Sequence, residues 1–358
     1  MESYLHDDPR MPAAWGPWFA HEYITYFTAL SLPEIINLPP VRVSPNPGFH
    51  DGRFPTGPNH VDLYKESYRE VRRLDPFSSY DYAVRNGEFA HEPPVQDSIE
   101  PWKILVIYST EPDLLLDCDL ELNKRQKITG GSHGWRHMQF SLPGLTIGMA
   151  PESFRYHTEL ARKSFAIGND YWGWRFLSRA THYLADLGHP FHVKAAPWCF
   201  LLKSLPSPHR MMQVLSATHT GYEVYSERRF REGFPAFRQA LTEGACEGRS
   251  SRSDVFAALG GYIRTARDRL NPIFRFLMDR FGRDLVDAYA SLDQNSRVDA
   301  AEQTRKCSAD AAQVIFRESN APALQELDRM TAEILYDVGR MLGMLLAGFA
   351  AGRPGRTG

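Results

Sequence analysis

Apolar positions along this chain recur mostly at intervals of three and four residues, and the period-two alternation of a half-buried strand is scarce. The first helical pattern is "FAHEYITYFTALSL", after "WGPW" and before Pro33. The next, "VDLYKESYREVRRL", is set off by the loops "LPPVRVSPNPGFHDGRFPTGPNH" and "EPPVQDSIEPW", which are rich in proline and glycine or in proline alone. "KILVIYSTEPD" is a short apolar run ending in turn chemistry. From Pro151 onward the helical period dominates. "PESFRYHTELARKSFAIG" closes at Gly168, and "NDYWGWRFLSRATHYLADLGHP" breaks at Pro190. Further helices are expected in "GYEVYSERRFREG", "SDVFAALGGYIRTARDRL", "PIFRFLMDRFGRDLVDAYASL", "AAEQTRKCSADAAQVIFRES" and the C-terminal run. These patterns predict an all-α protein: a single multi-helix domain over residues 1–350 with a loop-rich N-terminal third, and a flexible tail at 351–358.

Composition narrows this only a little. The 358 residues are 43% hydrophobic and 23% charged, enough for a substantial core. A net charge of −2 argues against a broad basic footprint for duplex nucleic acid. The apolar C-terminal stretch is interrupted by Asp337 and Arg340. Its uninterrupted part, Met341 to Ala351, falls short of the ~20 residues that span a bilayer, so a buried helix is expected and no transmembrane segment. The start, "MESYLHDDPRMPAAWG", has neither a basic n-region nor an apolar h-region, which sets the expectation of a cytoplasmic protein. Cys118, Cys199, Cys246 and Cys307 form no CxxC pair, so neither a disulfide framework nor a thiolate zinc site is expected. Gly130 and Gly131 are followed by no GK[ST], which excludes a Walker phosphate loop.

The candidate chemistry is concentrated in "THYLADLGHPFHV". Residues four apart share a helix face, so His182 and Asp186 point the same way, and a continued helix would add His189. Pro190 turns the chain and lets His192 approach from another angle. "ATHTGYEVYSE" supplies a second His-x-x-x-carboxylate pair, His219 and Glu223. "GGSHGWRHMQF" adds His133 and His137, "STEPDLLLDCD" adds Asp113, Asp117 and Asp119, and "WGPWFAHEYI" places His21 at the start of the first helix. Imidazole nitrogens and carboxylate oxygens are natural ligands of zinc, and a carboxylate can bridge two ions. His6, His50, His60, His91, His157 and His209 lack a second ligand at useful spacing and read as ordinary.

"HYLADLGHPFH", followed by "HTGYE" and preceded by "WGPWFAH", resembles the zinc-dependent phospholipase C and single-strand-specific nuclease family, over roughly residues 15–225. The resemblance implies an all-helical fold holding two or three zinc ions. It implies that His182, Asp186, His137 and an upstream aspartate hold one zinc, with Asp186 bridging to a neighbour. His192, His219 and Glu223 would hold another, and His21 would serve a third. Asp113 is the first choice for the upstream aspartate and Asp117 the alternative, and either would also act catalytically on the water. His133 reads as a loop residue.

Three features depart from the family. His189 stands where the family has glutamine, so it is expected beside the ligands rather than among them. The interval from Asp113 to His137 is longer than in the family. The family's third zinc uses the free amino group of an N-terminal tryptophan, whereas Trp15 here follows other residues.

The implied activity is zinc-dependent phosphoester hydrolysis, phospholipase C-like, with phospholipid favoured and peripheral membrane contact supplied by the domain's own loops. A single-strand nuclease or nucleotidase, and a non-catalytic metal-binding module, are the alternatives. Trp172, Trp174, Trp198 and Phe200 are expected in the core, with contact to lipid as the alternative.

Overall fold

The computed structural model describes residues 20–44, 47, 98–113, 136–142, 145–251, 253–290 and 309–352. Trp15, Asp117, Asp119, His133, Cys118, Cys307, the "VDLYKESYREVRRL" pattern and the 353–358 tail lie outside them. The protein is all-α. Helix α1 (Ala20–Leu30) is followed by α2 (Pro33–Ile36), β1 (Val41–Arg42), β2 (Ser98–Ile99) and α3 (Pro101–Ile107). The run "KILVIYSTEPD" is therefore helical at its start and passes through a 3-10 turn, Tyr108–Thr110, into the turn that holds Asp113. A small hairpin, β3 (Gln139–Leu142) with β4 (Leu145–Gly148), leads into α4 (Ala150–Ala166).

Helix α5 (Asp170–Asp186) is the spine of the domain. Gly168, at φ +76°, supplies the left-handed residue that lets the chain leave α4 and turn back along it. Asn169 then caps α5 by accepting a hydrogen bond from the Trp172 backbone N–H at 3.2 Å. Every residue of α5 from Tyr171 to Asp186 is buried, as expected of a helix surrounded on all sides. Trp172 and Trp174 belong to this core. Helix α5 stops at Asp186, and Pro190 opens α6 (Pro190–Val193) in a new direction.

Two helices follow where none was expected or where less was: α7 (Trp198–Ser204), and α8 (Pro208–Arg231), which begins well before "GYEVYSERRFREG". Helix α9 (Pro235–Ser250) was not anticipated, because Gly244 and Gly248 weaken its helical signal. Helix α10 (Val255–Ala290) runs through Pro272, where the sequence pattern divides it into two helices. Proline removes one intrahelical hydrogen bond, but apolar contacts on both sides of it hold the ends in line: Ile263, Leu270, Ile273 and Leu277 are all buried. Residues 309–315 form α11, and α12 (Ala321–Ala351) ends the described chain.

Helix α12 starts earlier than "ILYDVGRMLGMLLAGFAAG". By length and composition it is apolar enough to cross a membrane, with mean hydropathy 1.4 over its most apolar stretch, and 56% of that stretch is buried inside the protein. Asp337 on this helix pairs with Arg269 of α10 at 2.7 Å. The most extensive helix pairing among the described elements joins α9 to α12. Here backbones touch directly. A Cβ at Gly244 would collide with the Tyr336 carbonyl, and one at Gly248 with that of Arg340. Gly339 and Gly343 meet the Leu241 and Ala245 carbonyls in the same way.

Candidate metal centre

Arg175, Arg179, His182 and Asp186 follow one another along a single face of α5, three or four residues apart, inside the core. Buried charges of this kind need partners, and one turn of chain supplies them. Glu111 and Asp113 both leave the turn that follows the 3-10 helix. Glu111 accepts from Arg175 Nε at 2.8 Å and from Arg179 Nε at 2.7 Å, while the Arg175 guanidinium also lies 4.2 Å from the centre of the Tyr108 ring. Burial alone would raise the Glu111 carboxyl, but the two guanidiniums outweigh it and hold the group below the usual glutamate range. Asp113 faces the other half of the stripe, with Oδ1 3.6 Å from His182 Nε2.

Glu111 thus fixes the turn that delivers Asp113. Replacing it, as in Glu111→Gln, would strand two buried guanidiniums, and a loss of about 3–5 kcal/mol is expected in a denaturant melt. The sign with pH follows. Because the folded pKa is depressed, this contribution is complete above the ordinary glutamate value and is lost as pH falls toward the folded one. Wild type should therefore lose more stability than the variant on acidification through that range.

Asp186 is the focus of the site. Its carboxylate is 1% exposed, and both oxygens are shared by imidazoles from different elements. Oδ2 lies 2.9 Å from His137 Nδ1 and 3.2 Å from His182 Nε2, while Oδ1 lies 2.8 Å from His192 Nδ1 and 3.5 Å from His21 Nε2. His21 comes from the first turn of α1, His137 from the turn before β3, and His192 from α6. The His21 ring stacks on that of His182, with centroids 3.7 Å apart. Tyr183 walls the cluster, 5.3 Å from the His137 ring, and is itself stacked by His157 at 5.7 Å.

His192 joins this group to a second one. Its Nε2 lies 3.3 Å from Glu223 Oε1, and His219 Nε2 is 3.0 Å from the same oxygen. His219 and Glu223 are one turn apart on α8, as their spacing in sequence requires.

His189 is placed differently from the sequence reading. Since α5 ends at Asp186, His189 does not continue its face; it precedes α6 as the N-cap, and its ring lies 4.3 Å from that of His192. One donor atom each from His189, His192, His219 and Glu223 lies within 4.8 Å of the others. The same holds for His21, Asp113 and His182, and for His137, His182 and Asp186. The sequence signal for His189 was available: it stands three residues before His192, across a proline that redirects both rings.

His182 fits a metal-ligand role in its tautomer as well as its position. His182 Nδ1 is 2.7 Å from the Ser109 carbonyl, to which only an N–H can donate. In the neutral ring the proton is therefore on Nδ1, and the Nε2 lone pair faces His137, Asp113 and Asp186. A carbonyl behind the imidazole is the usual support of a metal-ligating histidine. Without a metal, the surrounding carboxylates favour protonation of two of these rings. Burial opposes charge on His182, but Asp113 and Asp186 push its pKa up to about 9. Burial likewise opposes charge on His192, yet Asp186 and Glu223 push it up to about 10. Asp186 is held well below the carboxylate range against the effect of burial, chiefly by His182 and His192. His189 and His21 go down, first because they are buried and then because of their cationic neighbours. The cluster thus draws positive charge into the core.

His21, Asp113, His137, His182, Asp186, His192, His219 and Glu223 are all brought together, whereas Asp117 is outside the described residues. The fold and this centre define an all-helical protein built around a buried histidine–carboxylate cluster of metal-ligand type. No family model, no curated protein and no solved structure matches the chain.

Proposed function

We propose that this protein is a zinc-dependent phosphoester hydrolase of the phospholipase C type, acting on phospholipid in preference to single-stranded nucleic acid. The observation that carries the reading is Asp186, a buried carboxylate whose two oxygens each face two imidazoles, the arrangement of a ligand that bridges metal ions. The donors are nitrogen and oxygen without thiolate, which suits zinc at a catalytic site. When bound, a pair of zinc ions acidifies water to near neutral pH and neutralises charge on phosphate oxygens.

The protein's own groups divide the remaining work. Asp113 is the more open of the two aspartates, its side chain 21% exposed against 1% for Asp186. It orients the attacking water and accepts its proton. Asp186, His137 and His182 form the fixed floor, held by the Ser109 carbonyl and the Glu111 turn. His219 and Glu223, 21% and 17% exposed at the side chain, line the more open side and, with His192, would hold a metal ion there.

The test is elemental analysis of the protein purified without chelator, run alongside hydrolysis assays on phosphatidylcholine and single-stranded DNA. Two or three zinc ions per chain are expected, with activity lost on chelation and restored by zinc. Less than one zinc per chain would sink the proposal, and a preference for DNA would move it to a nuclease. His182 and His192, at about 9 and about 10, hold protons in the metal-free protein, and zinc must displace them. Zinc affinity should therefore weaken as pH is lowered from 8 to 6 (about two units across the neutral range), with proton release visible by calorimetry in two buffers.

A further inference from the structure

Helix α7 is turned inside out. Trp198, Leu202 and Leu205 stand at i, i+4 and i+7, a single helical stripe, and they are 45%, 63% and 63% exposed. Leu205 keeps helical backbone angles just past the end of α7, so it continues the stripe. Met212, on the first turns of α8, adds a further apolar side chain at 55% exposure. On the inner side Phe200 packs against Phe274 of α10, with ring centroids 5.0 Å apart. Phe200 seats the helix, and the larger apolar stripe is left facing water. Trp198 was expected in the core, and its exposure is the departure. A run of large apolar side chains on an outer face marks an interaction surface.

Charge narrows the partner. Lys203, His209 and Arg210 are exposed within the same stretch, and from 187 to 222 the sequence contains no aspartate or glutamate. A second copy of this chain docking face to face would oppose Lys203 and Arg210 to themselves, which is unfavourable. An anionic lipid surface meets both features: aromatic and aliphatic side chains enter the boundary between headgroups and acyl chains, and basic ones meet the phosphates. The stretch also lies between His192 and His219 in the chain.

We infer that residues 197–212 dock on an anionic bilayer, with Trp198, Leu202, Leu205 and Met212 inserted and Lys203, His209 and Arg210 on headgroup phosphates. The inference rests on the phosphoester reading for the choice of lipid, while binding itself needs no turnover.

The experiment is co-sedimentation of the full chain with vesicles of phosphatidylcholine mixed with phosphatidylglycerol, and with vesicles of phosphatidylcholine alone. Wild type should partition onto the mixed vesicles, more weakly at high salt and onto the neutral ones. Leu202→Glu combined with Leu205→Glu should lower the partition constant by at least about tenfold. An unchanged thermal midpoint would show that the variant is folded. Hydrolysis of bis(p-nitrophenyl) phosphate, a soluble phosphodiester, is read in parallel and should be equal in the two proteins. Loss of vesicle binding in the variant supports docking even if neither protein hydrolyses the soluble diester, a result that would count against the hydrolase reading alone. Wild type that stays in solution, equal sedimentation of both proteins, or an apolar face occupied by a second copy in sedimentation velocity would overturn the inference.

Discussion

On the proposed zinc-hydrolase reading, Asp186→Asn is expected to remove at least one zinc ion and to abolish hydrolysis while leaving the helices in place. The substitution keeps shape and volume, so the packing around α5 is undisturbed. It removes the negative charge that His137, His182, His192 and His21 share, and it replaces one oxygen with an amide nitrogen that has no lone pair to offer. A supporting residue behind a ligand is worth about 10–100-fold in metal affinity, so a carboxylate between two sites should exceed that range. Zinc per chain should fall by at least one, and hydrolysis by more than about 100-fold. His133→Ala, in contrast, should change neither. Equal effects of the two substitutions would refute the assignment of Asp186 as the shared ligand.

Gly248→Ala is expected to be among the most destabilising single-methyl additions this protein can receive. Within a helix, alanine normally gains about 1 kcal/mol over glycine. At Gly248 the added Cβ meets the Arg340 carbonyl, a backbone atom that can retreat only if α12 moves away from α9. Overpacking of this kind costs about 1–3 kcal/mol, enough to reverse the propensity gain. Gly244 presents the same obstacle at the Tyr336 carbonyl, so the double substitution should be worse than either alone. Gly260, on α10, is the internal control, because a Cβ there meets nothing within 4 Å. Gly260→Ala should raise the melting temperature and Gly248→Ala lower it. The same sign at both positions would show that the α9–α12 contact is not as close as described.

The two substitutions mark where sequence and structure divide the information. His182 with Asp186, and His219 with Glu223, could be paired from sequence because four residues of α-helix bring side chains onto one face whatever the rest of the fold does. The same local rule misleads at His189, since it holds only while the helix continues, and α5 stops at Asp186. Helix α9 escaped notice because its glycines are poor helix formers in isolation; what favours them is the backbone of α12, remote in sequence. At Pro272 the sequence pattern breaks for the converse reason, its local cost being offset by contacts along the whole of α10.

By itself the sequence determined the helical class, the turn at Gly168, the change of direction at Pro190, and the residue types that crowd around "THYLADLGHPFHV". These follow from periodicity and backbone sterics, which act within a few residues. Only the tertiary structure decided that Glu111 rather than solvent satisfies Arg175 and Arg179, and that Trp198 faces outward. Each of those depends on contacts between segments far apart in the chain, and one segment's composition does not specify what another will place against it.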